Sequence, residues 1–269
     1  MKYIKKYIKR LHKITVKNEM RVLPGQIAFF IVLSLIPLVT LLGFIASQFQ
    51  VDMKFVLDVI KDSLPNQVIE ILLPALENPG FLTGLSMTIG FFLASNATNS
   101  IIVASNMLFK IEDNGYIRRR IKAIIMLIIL LFLFLFMLIV IAFGNDIASF
   151  VLQLIFKNKV PYAIYEIFLF IKWTLGLLFA YVMVKMIFTI APDSPIPSKN
   201  MNKGALFTTL AWIIITSIYS IYVTNFADYN IFYGSLSNIV ILMMWVYFLS
   251  YTLVVGMAIN SDDYLKKDS

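Results

Sequence analysis

Six long apolar runs separated by short polar stretches dominate the chain. A helix needs about 20 mainly apolar residues to cross the hydrocarbon core of a bilayer, and each run meets that length. The runs extend from about Gln26 to Ser47, Phe81 to Phe109, Ile121 to Phe143, Tyr162 to Ile190, Gly204 to Asn225 and Ser235 to Ile259. Their apolar positions are continuous rather than alternating, which excludes a membrane β-barrel. The pattern predicts an all-α, polytopic integral membrane protein with six transmembrane helices.

Two flanking segments carry a different period. Over residues 1–17, Tyr3, Ile4, Tyr7, Ile8, Leu11 and Ile14 fall within an arc of about 140° on a helical wheel. Lys2, Lys5, Lys6, Lys9, Arg10, Lys13 and Lys17 fill the opposite arc. A basic RNA-binding helix and a plain solvated tail share that pattern. Adjacency to a span favours a helix lying in the headgroup layer with its cations on anionic lipid. Between Val51 and Asn78, Val51, Phe55, Val59, Leu64, Val68, Leu72 and Leu76 recur near helical spacing among acidic residues, and Pro65 and Pro74 break the segment. The organisation expected is an amphipathic basic helix at 1–25 and a six-span membrane domain at 26–260. An outer interfacial helical segment at 48–80 and a tail at 261–269 complete it.

Composition supports the same class. Of 269 residues, 60% are apolar and 14% charged, against roughly a quarter charged in soluble domains. Disorder is excluded by the hydrophobicity, and a disulfide scaffold by the absence of cysteine. The net charge of +8 raises the question of a nucleic-acid partner. Its distribution answers against one. Seventeen of the 23 Lys and Arg lie in the N-terminal segment, the second-to-third and fourth-to-fifth connections and the tail. Four lie on the other side: Lys54, Lys61, Lys157 and Lys159. This positive-inside bias places both termini in the cytoplasm. The partners expected are membrane lipids, with anionic headgroups at the cytoplasmic face held by Lys2, Lys5, Lys6, Lys9, Arg10, Lys13, Arg118, Arg119 and Arg120. No cleavable signal peptide is expected, because the first apolar run begins late and no small-residue site closes it. A homo-oligomer remains compatible with this reading.

Polar groups inside a bilayer are costly unless paired or hydrated, so function is sought there. From Ala123 to Phe143 the third run has no polar side chain. The second run differs: Gly84, Thr88, Ser95, Asn99 and Asn106 fall within about 60° of one another on a wheel. Such a stripe lines a polar pathway or glues helices together. Thr252, Gly256 and Asn260 share a face of the sixth run, and close packing against the second run is the simpler account. Lys172 lies deep in the fourth run. It is a candidate contact for a substrate headgroup, or a lysine reaching the outer interface beside Trp173. Pro37 removes a backbone donor in the first run, and Ser34, three residues earlier, offers a local partner. The substrate-path candidates are Thr88, Ser95, Asn99, Asn106, Lys172 and Asn260. The packing and kink candidates are Ser34, Pro37, Gly84, Gly234 and Gly256.

Hydrolytic chemistry wants a nucleophile with its base, or clustered metal ligands. The chain has one His and no Cys, and no nucleotide-binding or metalloprotease motif. No catalytic residue, metal site or cofactor is expected, and the protein reads as a non-enzyme.

Several segments together resemble the YihY / virulence factor BrkB family. Ala28-Phe29-Phe30 followed by Ser34-Leu35-Ile36-Pro37 is similar to its first-span signature. Leu93-Ala94-Ser95 through Asn106, and then Arg118-Arg119-Arg120, resemble its second-span polar stretch and the basic run after it. Pro192, Lys203-Gly204-Ala205 and Trp212 resemble its entry to the fifth span. Tyr229-Asn230, Tyr233-Gly234-Ser235-Leu236, Trp245, Gly256 and Asn260 resemble its closing motif. The likeness runs from about residue 20 to 260. It implies a six-span inner-membrane protein. The family usually has an acidic residue two positions after the last glycine, where this chain has Ala258. Members have carried a ribonuclease label, to which these residues lend no chemistry. The function expected is a transporter or translocase of a lipid or other amphipathic envelope molecule. The alternative is a structural or assembly protein of the envelope, and a membrane-bound hydrolase or ribonuclease ranks below both.

Overall fold

The computed structural model describes residues 15–16, 19–48, 84–133, 162–226 and 237–268. The basic segment before residue 15, the interfacial segment beyond Gln48 and Gly234 lie outside the described residues. Every described element is helical. They are α1 (Glu19–Gln48), α2 (Gly84–Phe109), α3 (116–133 within the described residues), α4 (Tyr162–Ile190), α5 (Asn202–Phe226) and α6 (Ser237–Asp268). A 3-10 turn, Ser198–Met201, leads directly into α5.

The bounds follow local chemistry. α2 ends because Lys110 adopts a left-handed conformation, with φ at 56°. The Lys110 N–H then donates to the Met107 carbonyl and the Ile111 N–H to the Asn106 carbonyl, the paired bonds of a Schellman cap. Gly115, with φ at 92°, turns the chain into α3, a conformation that favours glycine. α4 occupies the same residues as the fourth apolar run. Two elements differ from expectation. α1 starts at Glu19, so residues 19–25 continue the first apolar helix rather than belonging to a separate surface helix. α6 runs through Asp268, so most of the expected tail is helix. Its last turns are held by neighbours: Ser261 donates to the Leu108 carbonyl, Lys203 pairs with Asp263 at 2.9 Å, and Tyr264 meets Phe109 edge-on at 6.1 Å.

α6 is the central helix, touching α1, α2 and α5, and α1 packs along α2 while α4 packs on α5. Every residue from Leu253 to Ser261 is buried. The core gathers at the end of the bundle where α2 and α4 finish and α5 begins. It joins Met20, Leu23 and Ile27 of α1 with Ile102, Leu108, Met126, Phe188, Met201 and Met257. Away from that end the helices turn large apolar side chains outward, among them Phe29, Phe132, Phe170, Ile214, Ile218 and Ile221. Such a surface suits lipid rather than water. Among the described residues, Ser198–Tyr222 and Ile239–Lys266 are long and apolar enough to cross a membrane.

Candidate functional site

The densest polar contacts tie together α2, α3 and the connection after α4. Asn106 sits in the last turn of α2, and Asp193 follows Pro192 just beyond α4. The Asn106 amide nitrogen donates to Asp193 Oδ2 at 2.7 Å, and the Asp193 backbone N–H donates back to Asn106 Oδ1 at 2.9 Å. Lys122, from the second turn of α3, completes the lock. Its ammonium donates to Asp193 Oδ1 at 2.7 Å and to the carbonyls of Ala191 and Pro192 at 2.9 and 2.6 Å. An ammonium has three hydrogens, so Lys122 has none left for another acceptor. The Asp193 side chain is 3% exposed and that of Lys122 25%. Burial alone would raise the carboxyl pKa. The Lys122 ammonium, the Asn106 amide and the Asn114 backbone outweigh that and hold it below the usual carboxylate value.

A second group lies along the flank of α2, facing the start of α3. Arg119 donates from Nε to Asn99 Oδ1 at 3.1 Å and pairs with Asp113. Arg120 donates to Asn96 Oδ1 at 2.6 Å and to the Phe92 carbonyl at 2.9 Å, with its guanidinium 3.6 Å from the centre of the Phe92 ring. Thr98 donates to the Ala123 carbonyl at 2.8 Å and fastens the same two helices.

The third group is a close crossing of α5 and α6. Asn260 accepts from the Gly204 N–H at 2.7 Å and donates to the Met201 carbonyl at 3.2 Å. It thereby serves the Gly204 N–H, one of the first donors of α5, which lack partners within their own helix. Thr208 donates to the Thr252 carbonyl at 3.2 Å. A Cβ on Gly204 would stand 2.0 Å from the Gly256 carbonyl oxygen, and one on Gly256 would stand 2.1 Å from Thr208 Oγ1. Two backbones approach here as only small residues permit.

The path candidates therefore take separate places. Ser95 is buried and donates to the Phe92 carbonyl of its own helix at 2.8 Å. Asn99 faces Arg119, Asn106 faces Asp193, and Asn260 holds α5. Thr88 lies on α2 and Lys172 on α4, with their side chains outside the described residues. The face of Thr252, Gly256 and Asn260 packs on α5, not on α2 as its spacing suggested. Ser34 donates to the Ile31 carbonyl at 2.8 Å, two residues before the Leu33 carbonyl that Pro37 frees. Pro37 instead meets Gly90, whose Cβ would lie 2.8 Å from the proline Cβ. Arg118 is exposed, whereas Arg119 and Arg120 turn inward to α2, because the asparagine stripe offers them neutral acceptors. Among the described residues, no three His, Cys, Asp or Glu gather as metal ligands.

Lys122, Asp193, Thr208 and Gly90 are not among the site candidates read from sequence, and Gly204 enters there only through the family resemblance. Lys122 carried a signal, as a lone cation at the edge of an apolar run. Gly204 and Thr208 carried another, as small residues four apart opposite Thr252 and Gly256.

Comparison with known proteins covers nearly the whole chain. A family model described as virulence factor BrkB matches residues 13–266. A ribonuclease-like protein, YfkH of Bacillus subtilis, is 26% identical over 95% of this chain and 94% of its own length. A UPF0761 membrane protein of Vibrio campbellii is 22% identical over 91% of this chain and 77% of its own. One from Vibrio parahaemolyticus is 23% identical over 95% and 81%. No solved structure matches.

Proposed function

The chain belongs to the virulence factor BrkB family, and from that premise we propose a multi-pass protein of the bacterial inner membrane that moves a lipid or other amphipathic envelope molecule. The termini and the Lys122–Asp193 end face the cytoplasm, following the distribution of Lys and Arg. The observation that supports transport is the lock of Asn106, Lys122 and Asp193 across three elements. A part-buried ion pair is a weak source of stability, since desolvation offsets much of its attraction. It is better suited to an element with two arrangements than to a permanent joint, which apolar packing would make more cheaply. In this reading the described state is closed at the cytoplasmic end, and release of Asp193 from Lys122 opens it.

A second reading, an envelope scaffold without transport, is favoured by the stripe on α2. Ser95 and Thr98 are buried with their hydroxyls bonded inside the protein. The ribonuclease-like wording attached to the Bacillus relative is not adopted. Asp113, Asp193, Asp262 and Asp263 each face a cation, as structural carboxylates do.

Reconstitution into liposomes containing headgroup-labelled phospholipid separates the readings. Transport predicts faster loss of label from the inner leaflet than in empty vesicles. The chain has no native cysteine, so Asn106→Cys with Asp193→Cys can be bridged by a short crosslinker that joins both thiols through disulfides. Bridging is expected to stop movement and reduction to restore it. If lipid crosses no faster than in empty vesicles, the scaffold reading replaces transport of lipid.

A further inference from the structure

Four cations among the described residues have a carboxylate partner: Arg119, Lys122, Lys203 and Lys266. Arg120 has none among the described residues. Its guanidinium rests on neutral groups, the Asn96 amide oxygen, the Phe92 carbonyl and the Phe92 ring, and its Nε–H is buried without a partner. Dipoles and a ring face orient the cation but leave its full positive charge uncompensated. Asn96 is thirteen residues before the end of α2, about 20 Å along the helix at 1.5 Å per residue. The charge therefore sits on the flank of the bundle, not among the loops at its end. Its surroundings are apolar and open: Phe92 and Ile117 are each half or more exposed. Ile117, three residues before Arg120, lies on the same face of α3.

We infer that Arg120, seated on Asn96 and Phe92, binds the phosphate of a membrane phospholipid whose acyl chains lie along Phe92 and Ile117. The charge selects an anion, and a guanidinium offers paired donors that match phosphate oxygens. The apolar rim selects an anion that carries hydrocarbon over a soluble one. The site requires only that the chain lie in a membrane. Failure of lipid movement in liposomes and failure of lipid binding here are thus separate results.

The test is native mass spectrometry of the full chain in neutral detergent. The probes are dioleoyl phosphatidylglycerol, dioleoylglycerol and inorganic phosphate. Phosphatidylglycerol is expected to stay bound, dioleoylglycerol to be lost, and millimolar phosphate neither to bind nor to displace the lipid. Arg120→Gln should weaken phosphatidylglycerol by about tenfold or more, the loss of charge-assisted hydrogen bonds. Arg120→Lys should fall between, because an ammonium lacks the paired donors. Lys199→Gln removes the same charge from the exposed turn before α5 and should leave binding unchanged. Should Arg120→Gln not fold, Ile117→Glu carries the test, since a carboxylate three residues earlier supplies the missing countercharge and should expel the lipid. Wild-type affinity in Arg120→Gln or Ile117→Glu overturns the site. So does equal weakening by Lys199→Gln, or displacement of lipid by inorganic phosphate.

Discussion

Replacing Gly204 with alanine would place a methyl group 2.0 Å from the Gly256 carbonyl oxygen and 2.5 Å from the Asn260 amide nitrogen. The first obstacle is backbone, so α5 and α6 must separate. Overpacking of this kind costs roughly 1–3 kcal/mol. Separation also stretches the two Asn260 hydrogen bonds, to the Gly204 N–H and the Met201 carbonyl, at about 1 kcal/mol each. Alanine returns about 1 kcal/mol through helix propensity. The net is a destabilisation of about 2–4 kcal/mol, or roughly 5–15 °C in the melting temperature of a chain this size. Gly25 and Gly176 supply matched controls, because a Cβ at either meets nothing within 4 Å. There alanine should stabilise by up to about 1 kcal/mol. Gly256→Ala meets Thr208 Oγ1 first, at 2.1 Å, then the Gly204 carbonyl at 2.9 Å. Thr208→Ala should therefore rescue part of Gly256→Ala and none of Gly204→Ala. Thermal unfolding of each purified variant in one detergent, followed by circular dichroism, reads the five single and two double variants. Equal melting of Gly204→Ala and Gly176→Ala, or rescue of Gly204→Ala by Thr208→Ala, would refute the close crossing.

Asp193→Asn should destabilise by about 1–2 kcal/mol near neutral pH, the worth of a charge-assisted bond discounted for the partial exposure of Lys122. The wild-type advantage should hold above the ordinary Asp pKa of about 3.9 and vanish as pH falls through the lower folded value, because the folded carboxylate binds its proton more weakly; melting temperatures of both proteins across the acid range check this. Lys110→Gly should stabilise by about 1 kcal/mol, since it removes a left-handed side chain at the cap of α2; a melting temperature no higher than wild type would count against that geometry. Trp212→Phe loses the indole bond to the Leu249 carbonyl at 3.0 Å and should cost about 1 kcal/mol in the same assay.

The helices were legible because their signal is local. A continuous apolar run specifies a helix without reference to any neighbour, and the fourth run carries the same bounds as α4. The wheel likewise brought Ser95, Asn99 and Asn106 to one face of α2 from spacing alone. What faces them is a different kind of information. Asn106 meets Asp193 across 87 positions, and Lys122 meets Asp193 across 71. Neither separation leaves a periodic trace. The same distinction explains α6. The polar residues after Ile259 read as a tail because no apolar run continues through them. They are helical because Leu108, Lys203 and Phe109 of other elements hold them.

Small-residue spacing stands between the two kinds of signal. Gly204 and Thr208 are four apart, as are Thr252, Gly256 and Asn260, so each helix separately advertised a face that admits a close neighbour. Two such faces in consecutive helices joined by a short connection are natural partners, because antiparallel neighbours pack first. That inference needed only the sequence and would have assigned Gly256 to α5 instead of α2. Lys122 permits less. A cation at the edge of an apolar run demands an acceptor, but Glu112, Asp113 and Asp193 all lie in connections expected on its side. Proximity in sequence favours Glu112 and Asp113. The structure selects Asp193, because Asn106 holds that carboxylate beside the end of α2, while Asp113 is taken by Arg119. The choice of partner thus depends on a third residue, Asn106, that carries no charge of its own, and it becomes visible only once α2 and the end of α4 are side by side.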